Sequence, residues 1–305
     1  MNDEAIVVLG AAGFIGRHLV ERIAASGRTV IAATRQPATF KHPGIENVTC
    51  AYTSSADFTP LLARSRSIVH AASASTPGSS VAQPQLDGNL RTTLALVEAL
   101  QEFPDRKLLY LSSGGTLYGD SSHPVDERAP LRPRSYHAAG KIAAEFFIRA
   151  WATQYDGTAV ILRPSNVYGP GQLPRDGFGI VPAAFEHVVQ RRPLAIMGDG
   201  TAIRDFLYVD DLGELCTRVL EHAFPKGVHV LNAASGIGIE LDAMLDAIDR
   251  ATGQPLQRNY VPARRVDIPR ILLDSSAAHT MFGWSAETTI DTGLDRTWQW
   301  FRTRL

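Results

Sequence analysis

The chain has 305 residues, 45% hydrophobic and 20% charged, with 30 Lys and Arg against 31 Asp and Glu and a formal net charge of -1. That balance offers no basic field to nucleic acid or an anionic membrane, and no apolar run approaches the ~20 residues of a membrane helix. Two cysteines, Cys50 and Cys216, make neither a disulfide framework nor a metal-ligand set, so two partly buried thiols in a reducing compartment and no metal site are expected.

In chain order, Met-Asn-Asp-Glu opens without the basic segment or cleavage site of a signal peptide, so a cytoplasmic protein is expected. Residues 5–9, Ala-Ile-Val-Val-Leu, read as a buried strand. Residues 16–26 read as a helix with Leu19, Val20 and Ile23 on one face. Further strands are predicted at 29–33, 67–72, 107–111 and 159–162, with helices over 89–102 and 140–155. Strands alternating with helices, without hairpin signals, predict a parallel sheet covered on both faces. After Pro164 the rhythm changes. Residues 169–179 are rich in Gly and Pro and read as a loop, and Gly198-Asp199-Gly200 reads as a turn. A strand follows at 206–209, then a helix capped by Asp210 or Asp211, then a strand at 227–232.

Gly10-Ala11-Ala12-Gly13-Phe14-Ile15-Gly16 lies between the first strand and the first helix. Glycine there permits a tight turn, close approach of backbone to a pyrophosphate, and close helix–strand packing. The helix N-terminus then presents free N–H groups to the phosphates. The position in an alternating chain favours dinucleotide binding over a plain turn. The predicted fold is α/β: a Rossmann-type doubly wound parallel sheet over 1–165 and a smaller C-terminal α/β substrate domain over 166–305, with the chain crossing between the two. At the end of the second strand, an acidic residue would bind the ribose 2′-hydroxyl of NAD. The chain has Thr34-Arg35 instead. Arg35 can pair with the 2′-phosphate of NADP or stack on adenine, so the cofactor is NAD or NADP with a lean to NADP.

Several motifs, in one order, resemble those of the extended short-chain dehydrogenase/reductases, in particular the nucleotide-sugar epimerases and dehydratases. They are the glycine loop, Val69-His70-Ala71-Ala72, Asn89, Ser112-Ser113-Gly114-Gly115-Thr116-Leu117-Tyr118-Gly119, Arg163-Pro164-Ser165-Asn166-Val167-Tyr168-Gly169-Pro170-Gly171, Gly198-Asp199-Gly200-Thr201-x-x-Arg204-Asp205-Phe206, Val209-Asp210-Asp211 and Arg264-x-x-Asp267-Ile268-Pro269. The resemblance implies cofactor contacts from Gly10, Gly13, Phe14, Ile15, Gly16, Arg35, Ala71, Ala72, Asn89, Ser112, Lys141 and Pro164. It implies that Asn166, Arg204 and Arg264 bind the diphosphate of a sugar nucleotide, which suits arginine's forked donors. Each Arg could instead form a surface ion pair. Residues 73–77, Ile180 and the loop 171–179 would shape the sugar pocket. A homodimer through helices near 90–99 and 143–151 is also implied.

The resembled chemistry uses Tyr-x-x-x-Lys on one helix face plus a Ser or Thr hydroxyl. Here Tyr136 is five residues before Lys141, roughly 140° away around an ideal helix. His137 is four before it. The spacing from Pro133 to Lys141 matches the family, so His137 takes the tyrosine's place; a helical bulge restoring Tyr136 is the alternative. Lys141 would hold the ribose and favour neutral imidazole, which suits a base. The usual active hydroxyl position holds Gly114, flanked by Ser113 and Thr116, of which Thr116 is preferred. The expected reaction is NAD(P)-dependent C4 epimerisation through a transient 4-keto sugar. A 4-keto-sugar reductase is the alternative, and a binding pseudoenzyme is the alternative of another class. Dehydration is disfavoured because Gly114-Gly115 stands where an Asp-Glu pair is usual.

Overall fold

The computed structural model describes residues 5–76, 78, 81–175 and 177–304. The opening residues 1–4, and Pro77 and Asp176 of the two expected pocket segments, lie outside the described residues. The strands are β1 Ala5–Leu9, β2 Val30–Thr34, β3 Ile45–Thr49, β4 Ser65–His70, β5 Lys107–Leu111, β6 Thr158–Pro164, β7 Asn166–Tyr168, β8 Leu194–Met197, β9 Ile203–Tyr208, β10 Gly227–Ala233, β11 Gly238–Glu240 and β12 Arg258–Val261.

The chain forms two compact units. The first gathers Met1–Ser113, Tyr136–Arg163 and Gly213–Leu231; the second gathers Gly114–Ser135, Pro164–Leu212 and Asn232–Leu305. One change of unit falls between Arg163 and Pro164, beside the division expected at 165. Residues 114–135 and 213–231 are the exchanged segments, which periodicity does not locate.

The first unit is built on a seven-stranded sheet of order β10-β6-β5-β4-β1-β2-β3. Every pairing from β3 across to β6 is parallel. Every residue of β1, β2 and β6 is buried, as continuous apolar strands covered on both faces must be. β3 was not predicted from sequence. It is an edge strand, Ile-Glu-Asn-Val-Thr, without a fully buried position, so it carries no apolar run. The helices Phe14–Ala25, Arg91–Leu100 and Tyr136–Gln154 belong to this unit. All three start at other residues than expected, the first at Phe14 instead of 16. A π turn, Leu86–Leu90, precedes Arg91–Leu100, and the third helix begins at Tyr136, not at 140. Strand order reverses at β1, which lies between β2 and β4. A crevice beyond the strand ends opens at such a point, and there the glycine loop leaves β1 and Ala71-Ala72 leave β4.

The second unit holds a three-stranded sheet, β11-β9-β7, and a parallel pair, β12-β8. Tyr168, Phe185, Phe206, Leu245, Leu294 and Phe301 lie in its core, packed by the helices Ile180–Gln190, Leu241–Thr252 and Ile290–Arg302. The capping role expected of Asp210 or Asp211 is not what is found. The helix is Val209–Glu221, so both lie inside its first turn, where negative charge suits the dipole. Asp211 accepts hydrogen bonds from the Thr288 N–H and hydroxyl, each at 3.1 Å. Cys50 and Cys216 are free thiols, both buried. Among the described residues, no helix is long and apolar enough to cross a membrane.

Candidate active site

The glycine loop has the shape a dinucleotide pyrophosphate needs. Gly10 has φ +78, and a Cβ there would come within 2.7 Å of the Ala72 backbone. A Cβ on Gly16 would overlap the Gly10 carbonyl. The Gly13 N–H closes the turn on Gly10 O at 2.9 Å. The helix Phe14–Ala25 has no side-chain cap and no acidic residue in its first turn, so its N-terminal N–H groups are left for an anion. Tyr52, which sequence reading missed, braces this loop. It is buried with φ +66, its hydroxyl accepts the Gly10 N–H at 3.1 Å, and it donates to the Ala33 carbonyl. Burial raises its pKa to about 12, partly offset by the Gly10 hydrogen bond and the charge of Arg35. Arg35 itself is exposed just past β2. Only the non-glycine positive φ of Tyr52 marks it out, and that is invisible in sequence.

The helix Tyr136–Gln154 is α-helical from its first residue, with no bulge between Tyr136 and Lys141. Tyr136 is 52% exposed, whereas His137 and Lys141 are each 5% exposed and share the inward face. His137 Nδ1 lies 3.0 Å from Ser75 Oγ. Lys141 Nζ donates to the Leu111 carbonyl at 2.9 Å and lies 4.9 Å from the Tyr110 ring centroid. Among the described residues its other N–H donors have no hydrogen-bond partner, which leaves them for a ligand. Burial, then the Lys141 charge, pushes the His137 pKa down to about 3. Burial lowers Lys141 to about 8 against the opposing pull of Glu145.

Glu145, one turn further, forms an ion pair with Arg163, Oε2 to Nη2 at 2.6 Å and Oε1 to Nε at 3.0 Å. Both side chains are fully buried. Ser112 donates its hydroxyl to Glu145 Oε1 at 2.6 Å. The Ser112 hydroxyl, expected against the cofactor, is therefore committed to this pair. Asn89 is likewise engaged within the protein: Oδ1 accepts from the Ala74 N–H, and Nδ2 donates to Ser75 and Gln85. Both hydrogens of its side-chain amide are used in these bonds. Ala71 and Ala72 are half-buried beside Gly10, Phe14 and Ile15 are half-buried at the helix start, and Pro164 is buried at the end of β6. Ser113 is half-buried after β5.

The remaining expected residues lie in the second unit. Gly114, at the usual hydroxyl position, is buried, and Thr116 is half-buried on the helical turn Gly114–Leu117. Asn166 Nδ2 donates to the Asp205 carbonyl at 2.8 Å. Arg204 is half-buried and donates to the carbonyls of Ile203 (2.9 Å) and Pro269 (3.4 Å); burial lowers its pKa while Asp267 and Asp120 oppose this. Arg264 is exposed and bonded to Asp267 through Nε and Nη2, the closest contact 2.7 Å. Ile180 opens its helix and packs against the core of the unit. Asp205, part of the same motif as Arg204, has a structural part. Its buried carboxylate accepts from the Ser165 and Ser235 hydroxyls and the N–H groups of Ser235 and Gly236.

Among the described residues no cluster of His, Cys, Asp and Glu could hold a metal ion. A family model described as "NAD dependent epimerase/dehydratase family" matches residues 6–234. The chain is 32% identical to UDP-glucose 4-epimerase of Mycolicibacterium smegmatis, over 98% of each. It is 26% identical to dTDP-4-dehydro-6-deoxyglucose reductase of Escherichia coli, over 76% of this chain and 73% of that one. The structure of Thermus thermophilus UDP-glucose 4-epimerase in complex with NAD superposes with a TM-score of 0.89 at 28% identity, covering 99% of this chain and 100% of the other.

Proposed function

We propose that this chain, which belongs to the NAD-dependent epimerase/dehydratase family, is an NAD(P)-dependent C4 epimerase of a nucleotide-diphospho-sugar. The observation that carries the reading is a buried, neutral His137 one helical turn before a buried Lys141. A bound nicotinamide dinucleotide supplies the hydride acceptor and donor. The glycine loop and the uncapped helix hold its pyrophosphate, and the Lys141 N–H donors hold its ribose. His137 Nε2 takes the proton of the sugar C4 hydroxyl as hydride leaves C4. It returns that proton to the C4 oxygen once the keto sugar has turned over. Thr116 or Ser113 donates to the same oxygen, and Asn166, Arg204 and Arg264 hold the diphosphate.

Burial and the Lys141 charge keep the His137 imidazole neutral, the form that can accept a proton. A one-way 4-keto reductase would need its acid protonated at the outset, whereas His137 starts neutral. That favours epimerisation. A binding pseudoenzyme would take up dinucleotide without turnover. The deciding assay incubates purified protein with UDP- and GDP-sugars and NAD or NADP. C4-epimer product is expected; no product and no bound-cofactor absorbance change would sink the enzyme reading.

Lys141→Met removes charge-assisted bonds and should weaken dinucleotide binding roughly 10- to 100-fold, read by calorimetric titration. Unchanged affinity would show that Lys141 does not touch the cofactor. Arg35 supports acceptance of NADP, so Arg35→Asp should move the NADP-to-NAD preference in kcat/KM toward NAD; a constant ratio would remove Arg35 from that role. We also place a second copy of the chain, in a cytoplasmic homodimer, on the helix Tyr136–Gln154, where Phe146 and Phe147 are exposed. Phe146→Glu should shift sedimentation to the monomer, and a native mass already monomeric would overturn the dimer.

A further inference from the structure

We infer that Ser75, Gln85 and Asn89 are positioning residues that hold His137 in its Nδ1–H tautomer, leaving the lone pair on Nε2. The functional consequence rests on the reading of His137 as the proton-transfer group; the tautomer itself follows from hydrogen-bond direction. The Ala74 backbone N–H can only donate, and it meets Asn89 Oδ1 at 2.8 Å. Swapping the Asn89 amide would set two donors face to face, so its orientation is settled. Nδ2 carries two hydrogens, directed at Ser75 Oγ (2.7 Å) and Gln85 Oε1 (2.9 Å). The Gln85 amide is oriented in turn, with its oxygen toward Asn89. Ser75 Oγ lies 2.7 Å from that same oxygen, which can only accept, so the single Ser75 hydrogen goes to Gln85. Toward His137 Nδ1, 3.0 Å away, Ser75 can then only accept, and Nδ1 must carry the hydrogen. In a neutral imidazole the other nitrogen then bears the lone pair. Among the described residues Nε2 has no hydrogen-bond partner.

The backbone is shaped for this chain of bonds. The π turn Leu86–Leu90 begins directly after Gln85 and includes Asn89, and such turns gather at functional sites. A Cβ at Gly88 would overlap Ala74, and one at Gly140 would come 3.1 Å from Gln85 Cβ and Oε1. Both glycines therefore admit the network. Gln85 Nε2 is buried without a partner, a penalty that an apolar residue would remove. Such a residue would also remove the oxygen that directs the Ser75 proton.

The test uses full-length protein with NAD bound and histidine labelled with ¹⁵N. The His137 signals, identified by their loss in His137→Gln, should place Nδ1 in the protonated range and Nε2 in the unprotonated range. An Nε2–H pattern, or a mixture, would overturn the proposal on the unaltered protein. Gln85→Met frees the Ser75 hydrogen to turn to Nδ1, so the tautomer should invert and kcat fall about 100-fold or more with KM little changed. Gln85→Glu keeps an accepting oxygen and should keep both tautomer and rate. A Gln85→Met protein with the parent tautomer would also overturn the proposal. Full turnover in His137→Ala would defeat the acid–base reading alone and leave the tautomer result standing.

Discussion

His137→Ala should lower kcat by about 10²- to 10⁴-fold, the usual worth of a positioned acid–base group, while Tyr136→Phe should stay within about threefold of the parent. The contrast follows from the helix Tyr136–Gln154. His137 shares the buried face with Lys141, and Tyr136, one residue earlier, is turned about 100° away to solvent. A bulge would have reversed these positions, and the helix has none there. Steady-state kinetics of the two variants decide the matter; a larger loss in Tyr136→Phe would return the proton transfer to the tyrosine. The pH profile adds a second reading. His137 stays neutral until about pH 3, so kcat/KM should show no acid limb near 6.5. It should decline above about pH 8 as Lys141 loses its proton. Stability follows the same shift. Between about 6.5 and about 3 the unfolded chain binds the His137 proton and the folded chain does not, so stability falls as pH drops through that window. The buried His70, also held near 3 by burial and by Lys141, acts in the same direction.

Glu145→Ala should destabilise the fold by about 3–5 kcal/mol, measured as a shift in the urea midpoint. The cause is that the buried Arg163 guanidinium loses its carboxylate and the Ser112 hydroxyl loses its acceptor. Replacing both partners, Glu145→Met with Arg163→Met, should recover most of that loss, because two buried charges are removed together. A Glu145→Ala protein within about 1 kcal/mol of the parent would show that water or backbone adjustment satisfies Arg163. Activity should respond too. Glu145 supports the Lys141 charge, so its loss moves the alkaline limb to lower pH. Glu145 thus lies two turns from His137 and one from Lys141 on the same helix, and its pair with Arg163 is fully buried.

Features that depend on short spacing are legible in the amino-acid order alone. The glycine loop was legible because its three glycines, the strand before it and the helix after it are contiguous. The alternation of apolar runs gave the parallel sheet, since strands buried on both faces need such runs. The four-residue step from His137 to Lys141 was legible because helix periodicity converts spacing into a shared face. Tertiary structure decided what depends on distant residues meeting. Tyr52 reaches Gly10 across 42 residues through a positive φ that no pattern announces. Edge strand β3 has no apolar run to betray it. Arg163 finds Glu145, and Ser75 finds Gln85, Asn89 and His137, only after the sheet has brought β6 and the loop after β4 to the same helix. Periodicity reports which face of an element is buried. The direction of each buried hydrogen bond depends on which donors and acceptors the fold brings together, and no periodicity carries that information.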